Sequence, residues 1–324
     1  MEIVTNLDQL PESARGGAVS IGNFDGVHLG HARILRHLTD MARAIGGAAV
    51  VFTFDPHPVR LLRPAEAPAP LTWTDRKADL LGELGVDIVI AYPTDEDLLQ
   101  LSPEDFFEQI VCERLAARAM VEGTNFFFGH DRAGNIQLLA ELTAAADVKL
   151  EIVEPVDVDG RPVSSSRVRQ LLVTGDVDRV RTMLTRPYRV RGMVTHGAGR
   201  GAQLGFPTAN LEAIDTLLPG DGVYAGVGHA QQCWPAAINV GPNPTFGETT
   251  RKVEVHLIGC DDKLYGKPLE LDFLSRIRDI QPFASVQELQ AQLSRDVASV
   301  QKVVPPLVGS DPPPPNPGLT TDEY

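Results

Sequence analysis

The chain has few of the features that mark secreted, membrane-spanning or nucleic-acid-binding proteins. Only three of its 324 residues are cysteine. That odd number, without metal-ligand spacing, favours reduced thiols in a cytoplasmic protein. No apolar run approaches the length that crosses a bilayer, and residues 1–6 lack the basic-then-apolar order of a secretion signal. The formal net charge is −14 and no basic stripe is visible, so the sequence argues against a nucleic-acid or membrane partner.

The chain is long enough for two domains, and its pattern changes near residue 187. With 43% hydrophobic residues it can bury two cores. We predict a first domain over residues 1–186 and a second over residues 187–304. Residues 305–324 contain seven prolines and no periodicity, which indicates a disordered tail.

The first domain alternates apolar strands with helical patterns, which predicts a doubly wound parallel sheet. Five strands are predicted, at residues 17–21, 48–54, 86–91, 118–122 and 148–153. Residues 74–84 have a helical pattern. Ser102 and Pro103 begin another helix, with a hydroxyl cap and proline at the first position.

The segment Gly-Asn-Phe-Asp-Gly-Val-His-Leu-Gly-His, residues 22–31, lies between the first strand and the first helix. Open α/β sheets bind their ligands at such turns. Its glycines let the backbone approach a phosphate closely, and the first helical turn offers free amides to an anion. His28 and His31 are three residues apart, so both lie on the same side of the helix start. We expect the pair to donate hydrogen bonds to phosphate oxygens and to stabilise charge during transfer.

This segment resembles the nucleotide-binding signature of the nucleotidylyltransferase superfamily, and within it most resembles the prokaryotic FAD synthetases. The resemblance implies a Rossmann-like nucleotidylyltransferase sheet. It also implies catalytic roles for His28 and His31. Nucleotide or phosphate contacts are implied at five positions of the turn, namely Gly22, Phe24, Asp25, Gly26 and Gly30.

Three further segments of the first domain agree with that resemblance. Residues 55–58, Asp-Pro-His-Pro, form a stiff loop after the second strand, and we expect Asp55 and His57 to contact a flavin. Residues 122–135 contain three consecutive phenylalanines, which must be buried or cover a ligand. In this segment we expect Phe128 to contact the flavin and Asn125 to contact the nucleotide. Asn135 stands where family members often have aspartate.

The third segment, residues 163–169, places three serines before a basic helix. One serine there is an ordinary helix cap, but three with arginines behind them also suit a triphosphate. The family usually has isoleucine, two serines and threonine, where this chain has Val163 and Ser166 in the outer places. We therefore expect Ser165, Ser166 and Arg167 to bind phosphate.

The second domain reads as short strands separated by turns, which predicts a small antiparallel β-barrel. Strands are predicted at residues 188–194, 222–228, 236–241, 253–257 and 269–273. A closing helix begins with a capping box at Ser285 and Glu288. Its apolar stripe is expected to pack on the barrel and consists of Val286, Leu289, Leu293, Val297 and Val300.

Residues 196–210 combine glycines, Arg200 and the sequence Gly-Phe-Pro-Thr-Ala-Asn. By composition alone they are a flexible loop. Thr208 and Asn210 offer hard oxygens that suit Mg²⁺ and a phosphate. These residues, with residues 239–246, resemble the signature of riboflavin kinases. The resemblance implies Mg²⁺ binding at Thr208 and Asn210, and phosphate contacts at Gly199, Arg200 and Gly205.

Glu254 lies in a predicted strand, on the face that it shares with His256. A solvated sheet face is the ordinary interpretation. The resemblance instead implies that Glu254 is the kinase's general base, which takes the proton of a ribityl hydroxyl.

Taken together, the residues resemble a bifunctional riboflavin kinase/FAD synthetase over about residues 15–304. The implied activities are phosphorylation of riboflavin to FMN and adenylylation of FMN to FAD, both with ATP and Mg²⁺. The implied partners are the small molecules riboflavin, FMN and ATP. Two alternatives remain open at this point: a nucleotidylyltransferase for another small phosphate ester, and a flavin carrier without catalysis.

Overall fold

A computed structural model describes residues 1–197, 199–247 and 249–304. The predicted disordered tail, residues 305–324, lies outside the described residues. Within them the chain forms two compact units. The first contains residues 1–68 and 73–164, and the second contains residues 69–72 and the described residues from 165 onward.

The first unit is built on a parallel sheet of six strands in the order β1-β4-β3-β2-β5-β6. The strands are β1 (Glu2–Val4), β2 (Ala18–Ile21), β3 (Ala49–Phe54), β4 (Ile88–Tyr92), β5 (Ala119–Gly123) and β6 (Lys149–Val153). The predicted parallel α/β sheet is confirmed. Strand β1 is not among the predicted strands, because three residues at a sheet edge give too short a pattern to recognise.

Helices cover both faces of this sheet. They are α1 (Leu29–Ile45), α2 (Val59–Leu62), α3 (Thr74–Glu83), α4 (Glu96–Gln100), α5 (Pro103–Phe106), a π-helical continuation (Phe107–Arg114) and α6 (Ile136–Ala145). Ser102 caps α5 as predicted, since its side chain accepts a hydrogen bond from the Asp105 amide at 3.0 Å. The central strands are buried on both faces, as continuous apolar runs in a parallel sheet require.

A short hairpin, β7 (Asp157–Val158) and β8 (Arg161–Pro162), follows the sheet in the first unit. The second unit then begins with helices α7 (Ser165–Val173) and α8 (Val177–Arg181).

The second unit is a closed antiparallel barrel of six strands, in the order β10-β13-β12-β11-β14-β9. The strands are β9 (Tyr188–Thr195), β10 (Ala209–Glu212), β11 (Gly222–His229), β12 (Cys233–Gly241), β13 (Lys252–Leu257) and β14 (Pro268–Arg278). Strict alternation shows in β13, where Val253, Val255 and Leu257 are buried and the residues between them are half-buried. The predicted barrel is confirmed.

Two local expectations for the second unit need correction. Strand β10 was not predicted, because Thr208 and Asn210 lie in a segment dominated by glycine and read as a loop. The final helix α10 (Val286–Val303) begins at Ser285 as expected, but Val286 is 46% exposed and does not pack on the barrel. In a capping box the Glu288 carboxylate would accept a hydrogen bond from the Ser285 amide. Here it accepts instead from the amide of the preceding residue, Ala284, at 3.1 Å.

The compact units divide earlier in the sequence than the boundary predicted at residues 186–187. Helix α8 packs on the barrel, where the Asp178 carboxylate accepts from the Arg276 amide at 3.0 Å. The Arg181 guanidinium donates to the Leu274 carbonyl at 3.0 Å. Residues 165–186 therefore contact the barrel, and whether a fragment beginning at residue 188 folds alone remains a prediction.

Within the described ranges, no helix combines the length and the apolar character needed to cross a membrane. Cys112, Cys233 and Cys260 form no disulfide bond and are half-buried.

Candidate active sites

The first site forms where β2 ends and α1 begins. The Gly22 amide donates to the Phe52 carbonyl at 2.9 Å, which extends the sheet by one bond into the turn. The next residues reverse the chain sharply. Phe24, Gly26 and Val27 all have positive φ, at 45°, 84° and 38°. Such backbone is unfavourable for phenylalanine and valine, and strained backbone of this kind concentrates at functional sites.

The two histidines are held by the helix itself. His28 is the N-cap of α1, and its Nδ1 accepts from the His31 amide at 3.3 Å. His31 Nδ1 in turn accepts from the His28 amide at 3.4 Å. Their rings stack with centroids 3.6 Å apart, and the Phe24 ring lies 5.1 Å from that of His31. Because both Nδ1 atoms accept hydrogen bonds, the ring proton of each neutral histidine is assigned to Nε2.

Both imidazoles are neutral at physiological pH. Burial lowers the pKa of His28 to about 4, while a backbone hydrogen bond acts weakly against that shift. Burial also lowers the pKa of His31, and the charges of His28 and Lys77 add to the effect. The pair therefore offers two Nε2–H donors at a helix N-terminus without carrying formal charge.

Gly30 allows this close arrangement. A Cβ at Gly30 would lie 3.1 Å from Cε1 of His28 and 3.8 Å from the carbonyl oxygen of Val163. The helix start is therefore packed between the His28 ring and the segment that leads to the predicted phosphate serines. A side chain at this position would push against the His28 ring, whereas the Val163 carbonyl would remain at ordinary van der Waals distance.

Lys77, which is not among the predicted site residues, lies beside the turn formed by residues 22–31. It is only 8% exposed on α3, and its Nζ donates to the Thr53 hydroxyl at 3.4 Å. That hydroxyl donates to the Asn23 carbonyl at 3.1 Å. Burial lowers the pKa of Lys77, and attraction to Asp25 and Asp55 opposes the shift. A signal existed: Lys77 shares the buried face of α3 with Leu81, so a lysine interrupts an apolar stripe.

The predicted flavin contacts of the first unit have different surroundings. Asp55 is exposed at the end of β3 and accepts a hydrogen bond from the Thr74 hydroxyl. His57 Nδ1 accepts from the Val59 amide at 3.2 Å. Phe128 is 6% exposed and belongs to the core, whereas Phe127 is 47% exposed. Burial thus gives Phe128 a packing role and makes Phe127 the accessible ring of this segment.

The two asparagines of the same segment, Asn125 and Asn135, have different surroundings. Asn125 is exposed just after β5, where a nucleotide contact is sterically possible. Asn135 is the N-cap of α6, and its Oδ1 accepts from the Gln137 and Leu138 amides, both at 3.0 Å. Aspartate would cap the helix equally well, which explains why this chain can have asparagine there.

Ser165, Ser166 and Arg167 form the first turn of α7, which belongs to the second unit. Val163, just before them, belongs to the first unit and is 6% exposed. The serines therefore stand at a helix start, as predicted.

The second site is a pocket of about 150 Å³ between the barrel and α10. Thr208, Asn210 and Glu254 line it, together with Asn239 and His256. Its apolar side comes from Phe206, Ile280, Phe283, Leu289, Leu293 and Val297. The structure thus brings the predicted base and both predicted metal ligands into one cavity.

Strand pairing fixes the polar wall of this pocket. Glu254 on β13 lies opposite Asn210 on β10 and opposite Asn239 on β12. The Glu254 carboxylate accepts from the Asn243 side-chain amide at 3.1 Å. The Asn239 side-chain nitrogen is buried without a hydrogen-bond partner. A buried donor of this kind is costly unless a ligand satisfies it, so the wall is prepared for a polar ligand.

The glycine-rich loop closes tightly on the same wall. A Cβ at Gly197 would lie 2.0 Å from the Asn210 side-chain nitrogen, and one at Gly201 would lie 2.4 Å from the Phe206 carbonyl oxygen and 3.1 Å from the Thr208 hydroxyl. Gly199 and Gly205 have φ of 68° and 85° and flank α9 (Arg200–Gln203). Arg200 and Gly199 line the pocket, while Gly205 is exposed at the loop.

Two family models match this chain, one after the other along the sequence. The chain matches the family model of FAD synthetase over residues 10–167 and that of riboflavin kinase over residues 184–304. A bifunctional riboflavin kinase/FMN adenylyltransferase of Pseudomonas fluorescens is 35% identical, over 94% of this chain and 99% of that protein. The protein of the same name from Escherichia coli (strain K12) is 33% identical, over 90% of this chain and 94% of that protein.

A solved structure also aligns with most of this chain. It is named a macrolide-efflux protein from Streptococcus pneumoniae, is 29% identical, and aligns with a TM-score of 0.81 over 92% of this chain and 98% of that one. Both modules therefore occur together, in the same order, in proteins that match nearly end to end. The chain belongs to the family of bifunctional riboflavin kinase/FMN adenylyltransferases.

Proposed function

We propose that the two activities of this family, riboflavin phosphorylation and FMN adenylylation, are carried in this chain by the two sites just described. ATP is the phosphoryl donor in the first reaction and the adenylyl donor in the second. The assignment rests on the position of Glu254, which lies opposite Asn210 in a pocket with one polar and one apolar wall.

In the barrel, Glu254 acts as the general base. The terminal hydroxyl of the ribityl chain gives its proton to the carboxylate as its oxygen attacks the γ-phosphorus of ATP. The new O–P bond forms as the bond to the β-phosphate oxygen breaks, and ADP leaves. Asn243 holds the carboxylate by its 3.1 Å hydrogen bond, so the base is oriented before substrate arrives.

The donor set near Glu254 fits a magnesium ion bound with ATP. Thr208 and Asn210 present hydroxyl and amide oxygens on the pocket wall, and Mg²⁺ prefers a few hard oxygens together with substrate phosphates. When bound, Mg²⁺ neutralises phosphate charge during transfer. Gly199 and Arg200 approach the same phosphates, and Gly205 gives the loop the turn it needs. The apolar wall of the pocket supports binding of the flat flavin ring.

In the first unit, no base is needed, because the attacking FMN phosphate is already ionised. A phosphate oxygen attacks the α-phosphorus of ATP and pyrophosphate leaves. His28 and His31 donate from Nε2 to phosphoryl oxygens as negative charge shifts to the leaving group. Their neutral state keeps these donors in place without the cost of burying two cations.

The remaining predicted contacts of adenylylation complete the proposal. Gly22, Phe24, Asp25, Gly26 and Gly30 shape the turn that receives the nucleotide, and Asn125 contacts its polar groups. For Ser165, Ser166 and Arg167, in the first turn of α7, phosphate binding remains a prediction from the resemblance. Asp55 and His57 contact the flavin, and the accessible Phe127 is a better candidate ring than Phe128. The three cysteines, which form no disulfide bond, support the cytoplasm as the place where the enzyme works.

The deciding experiment is incubation of the full chain with riboflavin, ATP and Mg²⁺, followed by chromatographic separation of the flavins. FMN is expected first and FAD after it. Chelation of divalent ions is expected to stop the reaction, and added Mg²⁺ to restore it. Unchanged riboflavin under all conditions would instead indicate a carrier, and FMN without FAD would remove the adenylylation assignment.

A further inference from the structure

A second cluster of reactive groups lies at the other end of the barrel from the pocket. Strand β11 passes Val223, which lines the pocket, and ends six residues later at His229. At about 3.3 Å per residue this separation is roughly 20 Å. His229 pairs across the hairpin with Cys233, the first residue of β12. This cluster therefore takes no part in the proposed chemistry of the pocket.

Its geometry links a thiol, an imidazole and a carboxylate in a row. Cys233 Sγ lies 3.2 Å from His229 Nδ1, and His229 Nε2 lies 2.7 Å from Asp272 Oδ2. Asp272 is fully buried and also accepts from Arg189 Nε at 2.5 Å and from Arg189 Nη2 at 2.8 Å. The nucleophile, the base and the group that orients the base are all within hydrogen-bond reach.

The charges assign the hydrogen bonds in this row. Burial would raise the pKa of Asp272, but hydrogen bonds from His229 and Arg189 hold that pKa below its usual range, so the carboxylate is ionised. Arg189 Nη2 lies 2.9 Å from His229 Nε2 but has Asp272 Oδ2 as its acceptor. The Asp272 carboxylate accepts hydrogen bonds from both Arg189 and His229. The proton of the neutral imidazole is therefore on Nε2, and the unprotonated Nδ1 faces the Cys233 thiol.

We propose that Cys233 is an activated thiol that forms mixed disulfides with small disulfide molecules. The thiol proton passes from Sγ to His229 Nδ1, and the thiolate attacks one sulfur of the incoming disulfide. A new S–S bond forms at Cys233 as the old one breaks. The departing thiolate takes the proton from His229 and leaves as a reduced thiol, so the incoming disulfide is itself the oxidant.

The other two cysteines provide a contrast within the same chain. Burial raises the pKa of Cys112, and the nearby carboxylates of Glu108 and Glu113 raise it further. Burial likewise raises the pKa of Cys260; a hydrogen bond with the Asp262 backbone opposes the shift, and the carboxylates of Asp262 and Asp261 add to it. All three thiols are half-buried, so exposure alone does not rank them. The neighbouring side chains do rank them, because acids lie near Cys112 and Cys260, whereas an imidazole faces Cys233.

The test uses the full chain and the aromatic disulfide 5,5′-dithiobis(2-nitrobenzoate) at pH 7. The order of labelling is read by mass spectrometry of peptides after brief exposure. Cys233 is expected to react at least about tenfold faster than Cys112 or Cys260. Equal rates, or faster labelling of either other thiol, would overturn the proposal.

A variant then tests the role of the imidazole. His229→Gln removes the base at a half-buried hairpin end and is expected to bring the Cys233 rate down to that of the other thiols. Unchanged fast labelling of Cys233 would overturn the proposal. If this variant unfolds, all three thiols will react alike, and the ranking in the unaltered chain decides. Labelling does not depend on flavin turnover, so its result is separate from the test of the proposed function.

Discussion

The two proposed sites of this chain differ in the chemistry that their side chains offer. The first unit buries two neutral histidines at a helix start, each locked by a hydrogen bond to the backbone of the other. The second unit places a carboxylate, Glu254, in a pocket wall opposite an amide side chain. The first arrangement can only donate hydrogen bonds, whereas the second can accept a proton.

The nucleophiles explain this difference. A phosphate monoester is ionised at neutral pH, so an adenylyl transferase has to stabilise charge and align groups. A primary hydroxyl holds its proton until late in the reaction, so a kinase profits from a base. The contrast teaches that the proposed adenylylation needs no general base from the first site, whereas the proposed phosphorylation uses one in the second.

Removing the base should give the largest effect. Glu254→Gln keeps an oxygen that can accept from Asn243 but cannot take a proton. Riboflavin phosphorylation should slow by about 100- to 10,000-fold, with little change in riboflavin binding. The measurement is the kinase rate at saturating riboflavin and ATP.

The matched control is Glu212→Gln, an exposed acid on the same barrel. It should leave the kinase rate within twofold. Adenylylation of supplied FMN should continue in both variants. A normal kinase rate in Glu254→Gln would leave Glu254 as an ordinary strand residue.

Replacing one histidine tests the other half of the comparison. In His28→Asn the side-chain oxygen can still accept from the His31 amide, since asparagine is a good N-cap, but the Nε2 donor is gone. FMN adenylylation should fall by roughly 100- to 1,000-fold, the usual cost of losing one such donor. Riboflavin phosphorylation should be unchanged.

His28→Ala separates the cap from the donor. It loses both, so it should melt at a lower temperature than His28→Asn while showing a similar loss of adenylylation. Full adenylylation activity in His28→Asn would show that only the capping bond matters and that the proposed Nε2 donor plays no part.

Removing the buried ammonium should have a smaller effect on the same reaction. Lys77→Met keeps the length of the side chain but removes the charge that lies near Asp25 and Asp55. The two loops should then shift, and adenylylation should fall by up to about 100-fold, as small misplacements can cause. Lys149→Met, the same change at an exposed position of the first unit, is the control. Equal rates in the two variants would reduce Lys77 to a packing residue.

Much of this could be read from the sequence because local patterns and topology agree. The strand before residues 22–31 and the helix after them fix where the two histidines lie, and strict alternation in β13 fixes the face of Glu254. Helix starts at Ser102 and Ser285 follow from caps that act within four residues.

The remaining features depend on long-range contacts that no local pattern contains. Lys77 gains its place from residues of β3 and the first turn, which are more than twenty positions away. Strand β10 forms because β9 and β13 flank it, although glycine and proline surround it in the sequence. The Cys233–His229–Asp272 row likewise needs β14, which the barrel brings next to β11.

The smallest effect is expected on melting temperature, at Glu122, a buried acid next to the first site. The Glu122 carboxyl accepts from the Ile21 amide at 2.7 Å, directly before the motif, and burial raises its pKa well above the usual range. Its folded pKa exceeds the unfolded value of 4.5, so its contribution to stability is fully present below pH 4.5 and is lost as pH rises through the folded pKa. The charged form is thus the destabilising one.

Glu122→Gln keeps an oxygen for the Ile21 amide and cannot ionise. At pH 8 it should therefore melt about 2–4 °C above the parent chain, the shift that about 1 kcal/mol produces in a domain of this size. Near pH 4.5 the two should melt together, because the parent is then protonated as well. Glu141→Gln, an exposed acid of the first unit, should show no such pH-dependent gain. If Glu122→Gln instead lowers the melting temperature at pH 8, the carboxylate is charged in the folded state. The turn before the histidines would then rest on an anion rather than on a neutral carboxyl group.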